Sequence, residues 1–218
     1  MKKYFFSIIP FGIILLLVIY LFGNTLLPPK GKIIDGGDIY NVCFFWKNFL
    51  SENIRNGIIP FWNPYNFSGT PFFAHPDINL FYPLNWIYVI FPLNQSFSLY
   101  FFLNMLIASV TMYWLGKQFT NIWGATATAI IYVLGGFFAT RIYSGHLEYV
   151  DAAAWVPLTF GMGIRLIEEP GNKNLVKFSI SLTLLILSGN ELFFLFTMEM
   201  LFLYLIFFMV INNKKKRL

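Results

Sequence analysis

The residues of this chain that can do chemistry are few, and they fall in short groups. Asp35 and Asp38 bracket a Gly-Gly pair, His75 and Asp77 follow in the next stretch, and Arg141, His146, Glu148 and Asp151 lie close together. Glu191 comes directly after Ser188-Gly189-Asn190. Carboxylates such as Asp35 and Asp38 serve as a general base or a metal ligand. Plainer readings stand beside that one. Asp38 suits the N-cap of a following helix, and Asp-Gly is a turn dipeptide. Arg141, Glu148 and Asp151 also make a sensible ion-pair group, and an isolated histidine such as His146 is more often structural than a ligand. No His-Glu-x-x-His spacing occurs, so a divalent metal is left open and no cofactor is indicated. Cys43 is the only cysteine, which excludes an internal disulfide and any Cys-based zinc site.

The elements that must position these groups are apolar. Of 218 residues, 57% are hydrophobic, 21% aromatic and only 11% charged, with a mean hydropathy of +0.64. Soluble domains carry roughly 25% charged residues, so a water-facing surface cannot be covered here. A soluble domain, a disordered chain and a nucleic-acid binder are all excluded, despite the net charge of +5. The composition predicts an all-α polytopic membrane protein, its first partner the lipid bilayer.

A span needs roughly 20 apolar residues. Apolar runs of about that length, the first of them free of charge, predict spans at 4–27, 96–115, 123–140, 149–167 and 192–211, with a shorter fifth span at 175–189. The first ends in Leu26-Leu27-Pro28-Pro29, unlike the small-residue end of a signal peptide, and reads as an uncleaved span. Six spans place Lys2-Lys3, Lys117, Lys173 with Lys177, and Lys214-Lys215-Lys216-Arg217 on one side. By the positive-inside rule that side is the cytoplasm, which predicts a multi-pass plasma (inner) membrane protein with both termini cytoplasmic.

Residues 28–95 then form one large extracytoplasmic loop, and loops this long are usually functional. Within it Ile39, Val42, Cys43, Trp46, Phe49, Leu50 and Ile54 recur at helical steps, with Lys47, Asn48, Glu52, Arg55 and Asn56 largely between them. That pattern predicts an amphipathic helix over 39–56, lying in the interface plane or packed beneath its own loop. Three prolines and two glycines in 57–71 forbid a regular element there. With this topology all the acidic residues except Glu168, Glu169 and Glu199 fall outside, at the face where a site would form. Glu199 stands in the middle of the last span, a costly place for a charge.

An acidic residue after the first span is followed by Gly57-x-x-Pro60-x-Trp62-Asn63-Pro64-Tyr65, Gly69-x-Pro71 and Phe81-Tyr82-Pro83-x-Asn85. This order resembles the outer loop of the YfhO-like bacterial membrane proteins. Trp155-x-Pro157-Leu158 with Arg165 is similar to a further segment of that family. The resemblance runs from about residue 34 to 191 and covers the N-terminal portion of family members, which are several times longer. It implies a GT-C type glycosyltransferase architecture, GT-C-like in its large first loop with an interfacial amphipathic helix. Such enzymes take a sugar from a polyprenyl-phosphate carrier and pass it to an acceptor, here an envelope glycan or lipid on the outer face.

The family's acidic residue that acts as catalytic base falls on Asp38, with Asp35 its neighbour, and Gly69, Pro71, His75 and Asp77 fall in the segment lining the site. A cation, Arg141 or a lysine, is needed to hold the departing phosphate, with His146, Glu148 and Glu191 as further substrate contacts. Two other readings remain. A non-catalytic subunit or scaffold bound to a second membrane chain would explain Glu199. A transporter or flippase fits less well, because no internal repeat occurs and the charge gathers at one face.

Overall fold

The computed structural model describes residues 10, 12–20, 29, 32–34, 36–75 and 78–215. The expected first span at 4–27 falls largely outside the described residues; within it, residues 12–20 are helical, and Ile14 and Val18 are buried in the main core. Every regular element described is helical. A π-helical turn over Ile39–Cys43 leads into α1 (Phe44–Arg55), and a 3-10 turn, Pro83–Asn85, leads into α2 (Trp86–Ile90). Then follow α3 (Leu93–Phe119), α4 (Ile122–Leu134), α5 (Gly136–Ser144), α6 (Leu147–Glu168), α7 (Asn172–Leu187) and α8 (Glu191–Lys215).

Four stretches are long and apolar enough to cross a membrane: Leu93–Phe119, Ile122–Ser144, Leu147–Glu168 and Glu191–Ile211. The second corresponds to the stretch expected as one span at 123–140, but it is broken. Gly135, extended at ψ 153°, separates α4 from α5. The adjacent Gly135-Gly136 pair, without Cβ atoms, makes this break inexpensive. Helix continues to Ser144, so Arg141 lies within α5 rather than beyond the end of a span. The helix α7 has 16 residues, shorter than the other four stretches.

The hub of the bundle is α6, which packs on α3, α5, α7 and α8, while α3 also carries α4. Small residues permit these close approaches, as is usual where lipid supplies no hydrophobic drive between helices. A Cβ on Gly161 would fall 2.5 Å from Gln118 Nε2, one on Gly163 2.5 Å from Leu201, and one on Gly116 2.8 Å from Thr128. Pro157 lies inside α6 and cannot donate to the carbonyl of Ala153 one turn earlier. Tyr132 of α4 supplies the missing donor, its Oη–H reaching Ala153 O at 2.8 Å. Backbone polarity at this depth is thus satisfied from a neighbouring helix.

Residues 36–91 fold over one end of the bundle, the end where α5 meets α6 and α7 meets α8. The guanidinium of Arg55 closes this cap by donating to the carbonyls of Val89 at 2.7 Å and Phe91 at 2.8 Å. Residues 61–71 make a small closed loop rather than a regular element. Asn63 and Thr70 exchange backbone hydrogen bonds of 2.9 Å each way. Gly69, at φ +113°, lies under the Trp62 indole, where a Cβ would come within 2.5 Å. Helix spacing assigned Lys47 to the polar face of α1, and the structure corrects this. Lys47 is 2% exposed, because residues 78–88 fold across it. Its ammonium donates to Ile78 O at 3.1 Å and Asn85 Oδ1 at 2.9 Å and lies 5.4 Å from the centre of the Tyr88 ring.

Candidate functional site

The cap and the α5–α6 junction meet at Gly145. This residue ends α5 in the left-handed conformation, φ 83°, which turns the chain sharply into His146 and α6. A Cβ there would fall 2.5 Å from Ile39 N and 3.0 Å from Asp38 N, so only glycine lets the two backbones approach this closely. Cys43 adds a thiol contact of 3.7 Å to the Gly145 carbonyl. The π-helical turn is thereby seated on the α5–α6 junction with Asp38 beside His146.

Asp38 does not cap its helix; its side chain makes no capping hydrogen bond. Its Oδ2 instead lies 3.1 Å from His146 Nε2. On the other side of the ring, Arg141 Nη1 lies 2.9 Å from Nδ1. A guanidinium has no acceptor, so Nδ1 must accept and the ring proton must sit on Nε2, directed at Asp38. Arg141 donates to His146, and His146 donates to Asp38. The guanidinium is fixed from behind by the Tyr149 ring, 4.3 Å away, and the Phe137 ring, 5.6 Å away. These are favourable cation–π distances. The outcome is a carboxylate with one oxygen oriented by a histidine and the other, Oδ1, unbonded by any described residue.

Asp38 and His146 open onto a cleft of about 430 Å³ shared with Gly36, Gly37, Tyr143 and Ser144. Asp38 is half-exposed at 51%, so the open oxygen is accessible to a ligand. Arg141 does not line this cleft. It stands behind His146, bonded to that ring.

The other expected site residues divide. His75 and Glu191 come together, but elsewhere, around a second cleft of about 440 Å³ between the cap and the α7–α8 turn. His75 packs against Trp46 with ring centres 4.5 Å apart. That turn is tied to the cap by Asn79, whose amide donates 2.8 Å to Ser188 O. Glu148 is half-buried in the first turn of α6. Asp35 and Asp77 lie outside the described residues.

Asp151 leaves the ion-pair group that sequence placed it in. It is fully buried and receives hydrogen bonds from Tyr100 Oη at 2.5 Å and Asn104 Nδ2 at 2.8 Å. Tyr82 Oη donates to Asn104 Oδ1 at 2.9 Å and accepts from Trp155 Nε1 at 2.9 Å. Burial, with the nearby Asp151 charge, pushes the Tyr82 phenol well above the usual tyrosine range, so it remains a donor throughout the physiological range. Sequence reasoning missed this network. Its one visible signal is Tyr100 and Asn104, four apart on one face of an apolar helix.

Comparison with family models, with curated proteins and with solved structures finds no match to this chain. What the site can do therefore follows from its geometry. It presents an oriented carboxylate, a histidine that fixes it, and an open cleft at one end of a helical bundle. Among the described residues no group of three or more His, Cys, Asp or Glu is placed to hold a metal ion.

Proposed function

We propose that this chain is a membrane glycosyltransferase module, transferring a sugar from a polyprenyl-phosphate carrier to an envelope glycan or lipid on the outer face. The observation that carries the reading is the Arg141–His146–Asp38 chain beside an open cleft. An inverting transfer needs a carboxylate that takes the acceptor hydroxyl's proton as the new bond forms. Asp38 Oδ1 is the base, and His146 holds Oδ2 so that Oδ1 faces the cleft. Arg141 keeps the ring proton on Nε2 and places a fixed positive charge behind the site, where it favours the anionic leaving phosphate.

The topology consistent with this reading has six spans. The helix at 12–20 belongs to the first, α4 and α5 together form the third, and the short α7 is the fifth, returning the chain to the cap end. The cap then lies outside with α1 near the interface, where a donor keeps its phosphate at headgroup level and its tail in lipid. The motifs shared with the YfhO-like proteins support the same reading. Trp62, Asn63, Gly69 and Asn85 shape the cap, and Tyr82 with Trp155 binds it to the bundle, which makes them scaffold for the site.

The test is transfer of radiolabelled sugar from a polyprenyl-phosphate donor to envelope material, using the full chain in membranes. Asp38→Asn is expected to abolish transfer while the protein remains inserted. Undiminished transfer in that variant removes Asp38 as the base.

One observation favours a second reading, a non-catalytic subunit that works with another membrane chain. Glu199 is exposed on α8, and only 11% of the apolar window of that helix is buried. A mid-span carboxyl facing lipid costs about 2–4 kcal/mol, which a polar partner helix relieves. Co-purification of a second membrane chain, lost on Glu199→Leu, supports this reading; a monomer unaffected by that change removes it.

A further inference from the structure

A third cleft, the largest of the three at about 600 Å³, lies between α1 with its leading turn and the closed loop at 63–67. Its volume is that of a small-molecule site, and its chemistry differs from that of the Asp38 cleft. The polar residues on its wall are Asn41, Asn48, Asn63 and Asn66, with the carboxyl-bearing Glu52 and the polar tips of Tyr65 and Trp46. Among the described residues no Lys, Arg or His lines it. A phosphate or other anion would meet only neutral groups and one negative charge there. A ligand rich in hydroxyl groups would find donors and acceptors on every side.

Several of these groups are already oriented. Asn41 Nδ2 donates to Gly37 O at 2.8 Å and Asn48 Nδ2 to Glu52 Oε1 at 2.8 Å, which leaves both amide oxygens and one carboxylate oxygen for a ligand. Asn63 Oδ1 receives the Tyr65 amide at 3.0 Å and so fixes the start of the loop. Aromatic rings complete the wall. Tyr65 rests edge-on against Phe49, ring centres 6.1 Å apart, and is 86% exposed. Phe67 is 89% exposed on a backbone at φ 47°, a conformation that non-glycine residues seldom adopt. Folding gains little from holding a phenylalanine in that position. A flat ring face beside oriented amides is what the apolar C–H face and the hydroxyl edge of a pyranose require together.

We propose that this cleft binds a neutral glycan, the acceptor of the transfer reaction, with the sugar ring on Tyr65 and its hydroxyls on Asn41, Asn48 and Glu52. The proposal rests on the glycosyltransferase reading for the word acceptor, but not for the glycan. Position supports it. Asn41 follows Asp38 by three residues, within one turn of the π-helical segment. Gly37, which accepts from Asn41, also lines the Asp38 cleft. One turn of chain thus separates the neutral cleft from the candidate base. Exposed aromatics at a membrane face also insert into lipid, but the amides and Glu52 on the cleft wall favour a polar ligand.

The test is saturation-transfer-difference NMR on the full chain in lipid nanodiscs. The probes are neutral β-linked hexose and N-acetylhexosamine tetrasaccharides, with a hexose phosphate as control. At least one tetrasaccharide is expected to receive saturation, the hexose phosphate no more than its neutral parent. Tyr65→Ala and Glu52→Gln, both at exposed positions, should each weaken binding about tenfold or more, and Lys173→Gln, exposed at the start of α7, should leave it intact. No saturation of any tetrasaccharide overturns the proposal, as does binding indifferent to Tyr65→Ala. Broadening of Tyr65 and Phe67 signals by a spin-labelled lipid, with no response to sugar, assigns the loop to the bilayer and also overturns it. Sugar binding without any transfer activity upholds the glycan site and removes the enzyme reading, so the two fail separately.

Discussion

Two aspartates near the same end of the bundle have opposite surroundings. Asp151 is wholly buried, with Tyr100 and Asn104 donating to its two oxygens and a further shell of Tyr82 and Trp155 behind them. Asp38 is half-exposed and meets only His146 among the described residues, through one oxygen. A carboxyl that is fully buried and bonded at both oxygens is out of a ligand's reach, and its bonds join helices. Here they join α3 to α6 and, through Tyr82, to the cap. A carboxylate oriented on one side and open on the other has fixed geometry and spare capacity, which is what a general base needs. The two should therefore separate in experiment, one governing stability and the other turnover.

The largest separation is expected for Asp38→Asn. Loss of a general base costs about 10²–10⁴-fold in rate, and sugar transfer should fall by that factor with the unfolding temperature unchanged. Asp151→Leu should reverse the pattern. It strands the Tyr100 hydroxyl and the Asn104 amide in a dry interior, at about 1–3 kcal/mol each. Thermal unfolding in detergent should move down clearly, with transfer per folded molecule nearly preserved.

A smaller effect is expected for His146→Ala, which leaves the carboxylate in place but unoriented. A loss of roughly tenfold in kcat with KM little changed would mark a positioning residue. The smallest is Tyr132→Phe, which removes the donor to the carbonyl left open by Pro157. It should cost roughly 1 kcal/mol or less, the usual size of such bonds between membrane helices. In a Pro157→Ala background, where the backbone donor returns, the same change should cost almost nothing.

How much of this was visible beforehand follows from where each contact comes from in the chain. Apolar runs and their glycine or proline boundaries are local, so the helices were legible, including the amphipathic pattern of α1. The break at Gly135 was marked by Gly135-Gly136, yet a hydropathy reading passed over it because the residues on both sides are apolar. The candidate site was legible as residue types. Asp38, Arg141 and His146 were all singled out, but not the order in which they bond. That order depends on Gly145, where two segments distant in sequence touch, and no spacing rule reports such a contact. Lys47 shows the same limit from the other side. Helix periodicity places it with the polar residues, and only the fold of residues 78–88 over α1 makes it a buried tie. His75 shares the cap with Asp38 yet faces another cleft, the one between the cap and the α7–α8 turn.

The measurement that bears most directly on this account is a paired one: transfer from a polyprenyl-phosphate sugar and thermal unfolding, for Asp38→Asn and Asp151→Asn in the same membranes. The account predicts that Asp38→Asn is inactive and as stable as the parent chain, while Asp151→Asn is active and less stable. An active Asp38→Asn, or equal loss of activity in both at unchanged stability, would contradict it.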